Sequence, residues 1–360
     1  MDIDFAEILM EVVNRRASDL HLSAGAAPTV RVRGRLIPID GYPVLSSTDT
    51  REIVYSILTG DQRQRLETNW QLDFAYSIPG HARFRVNAYY QRGAIGAAFR
   101  LIPFGLTSID ELGLPAAVHE FTRRPRGFVL VTGPTGSGKS TSLAAMIDEI
   151  NATREEHIMT IEDPIEFLHA HKKCIVNQRE LGSDAQSFSM ALTAALRQDP
   201  DVILVGEMRD LDTISTALTA AETGHLVFAT LHTQDTAQTI DRIIDVFPAH
   251  QQGQVRVQLS VALQGIMTQQ LLPTTDGSGR VVATEVLVPN PAVRNLIREG
   301  KTHQIYSVLQ TSSASGMQTM DASLAGLVRQ GKITRKLAEA RSSTPEELGR
   351  LLGSEALVAA

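Results

Sequence analysis

The segment Gly133-Pro-Thr-Gly-Ser-Gly-Lys-Ser140 fits the spacing G-x-x-x-x-G-K-[S/T] and stands between an apolar run and a helical one. Glycines at positions 133, 136 and 138 let the backbone fold closely enough for its N–H groups to hold phosphate oxygens, and the following helix turns its positive end to the same anion. In such a loop Gly133, Pro134, Thr135, Gly136, Ser137, Gly138 and Thr141 surround the phosphates. Lys139 reaches the β- and γ-phosphates, and Ser140 holds Mg²⁺. The chemistry implied is that of ATP with Mg²⁺. A chance glycine-rich turn is the plain alternative, and the flanking strand and helix count against it.

Further acidic, basic and imidazole groups stand at strand ends. Asp201-Val-Ile-Leu-Val-Gly-Glu207 is an apolar strand that ends in a carboxylate, so Glu207 would orient or deprotonate a water or help hold the metal. Its ordinary alternative is a solvated strand-end glutamate. Thr160-Ile-Glu-Asp-Pro-Ile-Glu166 places Glu162, Asp163 and Glu166 at the end of another buried strand. Three acids beside a phosphate site repel it unless a cation or an arginine neutralises them, so at least one is expected to address Mg²⁺ or its water shell. Capping of a turn at Pro164 would explain them equally simply. His225 and His232 bracket the strand 226–231 from opposite ends and are expected to do different jobs; His232 would sense the γ-phosphate.

Phosphoryl transfer also needs positive charge on the γ-phosphate, worth roughly 10³–10⁵-fold in rate. Arg83 and Arg85 share one face of an alternating strand, with Phe84 and Val86 on the other, and Arg100 lies on the next strand. A solvated charged face is the default reading of that pattern.

The elements that would position these groups fall into blocks. At 360 residues the chain exceeds the usual single-domain size, and its 43 % hydrophobic and 21 % charged residues match an ordinary globular protein. An amphipathic helix is expected over residues 3–16, then short alternating strands at 29–33, 36–39 and 83–89, giving a small α+β domain over 1–102. Turn formers mark 103–114 as the linker. Fully apolar runs at 128–131, 158–161, 202–205 and 226–231, interleaved with helices, predict a mostly parallel α/β core over 115–270. Residues 271–360 read as a mainly helical C-terminal region with a possible strand at 281–288 and frayed last residues.

Net charge −6 gives no global reason for a nucleic-acid partner, so none is expected to bind stably. The single cysteine, Cys174, excludes a disulfide framework and a four-cysteine zinc site and fits a reducing compartment. The N-terminus lacks signal-peptide character, and a cytoplasmic protein is expected. Neither Cys174 nor the tail beyond Arg341 suggests a role.

The phosphate loop, the acidic box 160–166, the strand 202–210 with Glu207 and the two histidines together resemble the secretion and pilus ATPase superfamily over nearly the whole chain. Pro291-Ala-Val-Arg-Asn-Leu-Ile-Arg-Glu299 and the Gly316-Met-Gln-Thr-Met-Asp321 segment resemble the type IV pilus retraction ATPases in particular, with Val293 where isoleucine is usual. In that family Arg294, Asn295, Leu296, Ile297, Arg298 and Glu299 would form the helix required for retraction. The resemblance implies a PAS-like N-terminal domain, a RecA-like P-loop core, and a homohexamer with ATP bound between the two domains. It also implies that Arg85 and Arg100 act on the nucleotide. Hydrolysis would change the angle between the domains and drive retraction, at the inner face of the cytoplasmic membrane, peripheral to it, with an inner-membrane pilus platform protein as partner. The alternatives carried are a pilus-assembly or type II secretion ATPase, a RecA-like DNA translocase, and a nucleotide-binding regulator that hydrolyses little.

Overall fold

A computed structural model describes residues 5–78, 80–102 and 105–353. The chain forms two compact units: one spans residues up to Gly105 together with Pro164–Phe167, the other holds Leu106–Asp163 and the chain from Leu168 onward.

In the first unit, α1 (Phe5–Asn14), β1 (Asp19–Leu22), β2 (Thr29–Val32), β3 (Arg35–Pro38), α2 (Ser47–Ser56), α3 (Gly60–Asn69), β4 (Gln71–Ile78), β5 (Ala82–Gln91) and β6 (Ala94–Ile102) follow in order. The strands make an antiparallel sheet of order β3-β2-β1-β6-β5-β4. Strict alternation sorts its faces. On β5 Ala82, Phe84, Val86 and Ala88 are buried, and they pack with Ile8, Leu9 and Val12 of α1 and with Phe99. Phe84 and Phe99 meet edge to face at 6.4 Å. Arg83 donates through Nε to Ile165 O (3.2 Å) and through Nη1 to Ser77 Oγ (3.1 Å), pinning the 164–167 segment to this unit. The helices α2 and α3 open with capping boxes, Ser46 with Asp49 and Thr59 with Gln62.

The second unit contains α4 (Ala117–Thr122), β7 (Gly127–Thr132), α5 (Lys139–Thr153), β8 (His157–Glu162), β9 (Ile175–Glu180), α6 (Phe188–Ala195), β10 (Val202–Val205), α7 (Leu211–Glu222), β11 (Leu226–Leu231), α8 (Thr236–Asp245), α9 (Ala249–Ala262), β12 (Leu263–Pro273) and β13 (Arg280–Leu287). The helices α10 (Pro291–Glu299), α11 (Ile305–Thr311), α12 (Met320–Arg329), α13 (Arg335–Arg341) and α14 (Pro345–Leu352) complete it. Its sheet has the order β13-β12-β7-β11-β10-β8-β9, parallel throughout except for the β12–β13 pair. Every residue of β7, β10 and β11 is buried, as continuous apolar strands covered on both faces require. Two apolar clusters cover those faces, one built around α6, α7, α8 and α9 and the other around α4 and α5.

Two sequence expectations change. The sequence places the end of the core at 270, but β12 runs through that position to Pro273 and β13 continues the same sheet, so the helical region starts only at Pro291. Polar pairs such as Gln269-Gln270 interrupt the apolar run and hide the strand. The linker expected at 103–114 also contains core residues: Ile109 and Leu114 are buried with Val118 and Phe121 of α4. Pro103 and Phe104 lie outside the described residues, as do residues 1–4, which include positions 3 and 4 of the expected first helix, and residues 354–360 of the tail.

On the outer side of β13, Val286 exchanges two backbone hydrogen bonds with Gln318 (2.8 and 3.0 Å). Thr284 N donates to Ser323 Oγ (3.0 Å), and Gln318 Nε2 donates to Thr284 O (2.9 Å).

Candidate active site

Because β7, β8, β10 and β11 are parallel and in register, their carboxyl ends reach one edge of the sheet, where open α/β folds place their chemistry. The loop 133–138 leaves β7 there. Gly133, Gly136 and Gly138 all take positive φ (135°, 79° and 91°), which a side chain would oppose. At Gly133 a Cβ would also lie 2.4 Å from Gln269 O and 2.7 Å from Ser137 Oγ. β12 is thus the floor of the loop, and Gln269 Nε2 also reaches Ser137 O at 3.5 Å.

Pro134, Thr135 and Gly136 are exposed at the tip, Ser140 and Thr141 open α5 half-buried, and Gly138 caps α5 without a side-chain hydrogen bond, so its first amides remain for an anion. Ser137 Oγ and Gln269 Oε1 are buried without a hydrogen-bond partner. Orphaned groups of this kind are costly unless a polar ligand completes them, which fits a phosphate-bearing substrate.

Lys139, 9 % exposed, donates to Gly133 O (2.8 Å) and Pro134 O (3.1 Å), and its Nζ lies 3.5 Å from His232 Nδ1. His232 Nε2 is 2.9 Å from Glu207 Oε1. One tautomer serves both contacts: Nε2–H donates to the carboxylate and Nδ1 accepts from the ammonium. Glu207 also takes a bidentate pair from Arg209, through Nε and through Nη2 (2.7 Å). Burial pushes the Glu207 carboxyl up, but the Arg209 hydrogen bond and charge, with the His232 hydrogen bond, outweigh it and hold the group below the usual range. Sequence reasoning missed Arg209. Its only signal was a cation two residues beyond the strand-end acid.

Glu162 closes β8, where its Oε1 accepts from Thr160 Oγ1 (2.7 Å) and Gln178 Nε2 (3.1 Å); Asp163 follows it, exposed. Glu166 groups with Pro164–Phe167 in the first unit, and Glu162 and Asp163 in the second. Among the described residues no three His, Cys, Asp or Glu side chains gather as a metal site. His225 stands at the amino end of β11, with Nδ1 donating to Ala220 O (3.0 Å), so it ties α7 to the sheet away from the carboxyl edge.

In the first unit, Arg85 and Arg100 are directly opposite each other on β5 and β6, and Arg100 is opposite Asp19, itself opposite Arg31. Arg100 Nε is 3.0 Å from Asp19 Oδ1.

On α10, Val293 and Ile297 are buried in the core and Leu296 packs partly against it. Asn290 caps the helix through Val293 N (2.9 Å). Arg294 donates to Ser260 O and Val261 O at the carboxyl end of α9, where a cation complements the helix dipole. Asn295, Arg298 and Glu299 are exposed and bond to one another, with Asn295 Nδ2 to Glu299 Oε1 at 2.7 Å.

Comparison with known proteins adds the following. The family model described as Type II/IV secretion system protein matches residues 97–340. A type IV pilus retraction ATPase, PilT, of Pseudomonas aeruginosa is 52 % identical over 344 residues, covering 96 % of this chain and 99 % of that protein. A twitching motility protein of Neisseria gonorrhoeae is 54 % identical over 325 residues, 90 % of this chain and 87 % of its own length. The crystal structure of the pilus retraction motor PilT with bound ADP superposes with a TM-score of 0.92 at 52 % identity, covering 97 % of this chain and 100 % of that one.

Proposed function

Because the chain belongs to the type II/IV secretion system protein family and is an ATPase of it, we propose that it is the hydrolytic motor of type IV pilus retraction. The observation that carries the reading is the buried Lys139 under a loop of left-handed glycines, joined through His232 to Glu207. The 52 % identity to a retraction ATPase along almost the full chain directs that hydrolysis to the pilus.

In this reading the amides of residues 133–141 cradle the β- and γ-phosphates, and Lys139 exchanges its contacts with Gly133 O and Pro134 O for phosphate oxygens. Glu207, held ionised by Arg209, orients the attacking water rather than strongly abstracting its proton, because a depressed pKa makes a weak base. His232 reports the state of the γ-phosphate to Glu207. Mg²⁺ would be held by Ser140, with Glu162 and Asp163 addressing its water shell, and would supply charge neutralisation between the phosphates. Arg85 and Arg100 act on the nucleotide, as the family resemblance implies, and Glu166 completes the acidic set of the 160–166 box. The exposed Asn295, Arg298 and Glu299 of α10 couple the core to a neighbour or a partner. His225 serves the packing of α7.

The motor works as a homohexamer in the cytoplasm, peripheral to the inner membrane, docked on a pilus platform protein. Among the described residues no helix is long and apolar enough to cross a membrane. Two measurements test the proposal. Lys139→Ala is expected to stay folded and lose ATP hydrolysis by at least about a hundredfold. A deletion strain is expected to carry many pili and not twitch. Undiminished turnover in the variant defeats the site, and cells without pili defeat retraction in favour of assembly.

A further inference from the structure

We propose that Glu285 is a positioning residue for ATP hydrolysis, holding the start of α8 so that His232 stays against Glu207 and Lys139. The proposal rests on the reading of residues 133–141 as the ATP site.

Glu285 sits in β13 and is only 4 % exposed, in a stretch of the strand that is otherwise apolar apart from Thr284. A carboxylate there is costly without hydrogen bonds, and burial pushes its pKa up. It takes hydrogen bonds from Thr236, whose N, the first amide of α8, lies at 2.8 Å, and from the Met320 backbone at the start of α12. That helix already has an N-cap: Asp235 accepts from Gln238 N at 2.7 Å. A second carboxylate, reaching over from another strand and repelled by Asp235, does more than capping demands.

What Glu285 adds is attachment across the sheet. It is opposite Thr268 on β12, and Thr268 is opposite Thr132 on β7, the residue immediately before Gly133. Thr132 Oγ1 and Thr268 Oγ1 are 2.8 Å apart, Thr239 Oγ1 reaches Thr132 Oγ1 at 3.5 Å, and Thr233 Oγ1 is 2.7 Å from Thr239 Oγ1. The short connection carrying His232 is therefore held from two sides. Thr233 ties it through Thr239 to the base of the phosphate loop, and Glu285 ties the helix that follows it. Releasing Thr236 N frees one end, and a drift of about 1 Å in a catalytic contact costs up to roughly a hundredfold in rate.

The test is steady-state ATP hydrolysis by the full chain with a double-mutant cycle. Glu285→Ala is expected to lower kcat about tenfold or more while KM for ATP stays within about twofold. Glu285→Gln keeps an oxygen for Thr236 N and is expected to restore most of the rate. In a His232→Ala background, Glu285→Ala is expected to cost almost nothing further, because both act through one contact. Hydrogen exchange at residues 232–238 speeds up in Glu285→Ala, and that in α5 does not. If Glu285→Ala fails to fold, Thr239→Val cuts the other tether and is measured in the same cycle. Folded Glu285→Ala with wild-type kcat, or losses that multiply with those of His232→Ala, overturns the proposal. Wild-type protein whose hydrolysis does not depend on Lys139 instead defeats the ATP-site reading itself.

Discussion

At the carboxyl edge of the parallel sheet, Lys139 at the start of α5 and His232 and Glu207 just beyond their strands are each committed to a partner, whereas Arg31, Arg100 and Arg85 stand in one row across the antiparallel sheet around a single carboxylate, Asp19. In the first region opposite charges hold one another at defined points. In the second, cross-strand neighbours share a face, so the row carries surplus positive charge and the Arg100 side chain is 71 % exposed. Loops of left-handed glycine fix a position; alternating strands fix only a side of the sheet. A substitution in the first region should therefore disturb geometry, and one in the second should change charge with little effect on folding.

Gly133→Ala presses this contrast hardest. Its Cβ would lie 2.4 Å from Gln269 O on a backbone with φ of 135°. Strain of roughly 1–3 kcal/mol is expected in urea unfolding, and nucleotide affinity in a fluorescent-ADP titration should fall by at least about tenfold. Binding at wild-type strength would mean that the loop is not the fixed cradle described.

Arg209→Ala is the intermediate case. Without its bidentate partner the Glu207 pKa rises toward the usual carboxylate value, so the acid limb of the rate profile moves to higher pH. The stability effect has a matching sign. A carboxylate whose pKa is lowered by folding stabilises above its unfolded pKa, and that contribution disappears as pH falls through the lowered value. A pH–rate profile identical to wild type would remove Arg209 from the site.

Arg100→Ala should do least to the fold. An ion pair this exposed contributes at most about 1 kcal/mol, so thermal unfolding should barely shift. ATP turnover is the discriminating readout, since a loss without a stability change separates a ligand role from a solvated face, and unchanged turnover leaves the row as surface.

The same contrast governs what could be read from the chain. Residues 133–140 were legible because glycine, lysine and serine at fixed intervals have few other uses, and the buried strands β7, β8, β10 and β11 because unbroken apolar runs have only one environment. The strand β12 was not, since Thr268, Gln269 and Gln270 look like a surface segment until Gln269 is found under the loop. The bidentate hold of Arg209 on Glu207 depends on how the chain turns after a strand, which no periodicity records. The capping boxes of α2 and α3 were present as Ser46 with Asp49 and Thr59 with Gln62, and passed unnoticed among polar residues. Glu285 shows the harder case, because its partner amide is 49 positions away.

The bonds that Gln318 and Ser323 make to β13 have a consequence for association. An exposed strand margin invites another chain to add itself by main-chain pairing, the route to augmentation and fibre growth. Here the peptide groups of Thr284 and Val286 that face outward are already spoken for within the same polypeptide. Another molecule approaching that flank finds the main chain at these two positions already taken.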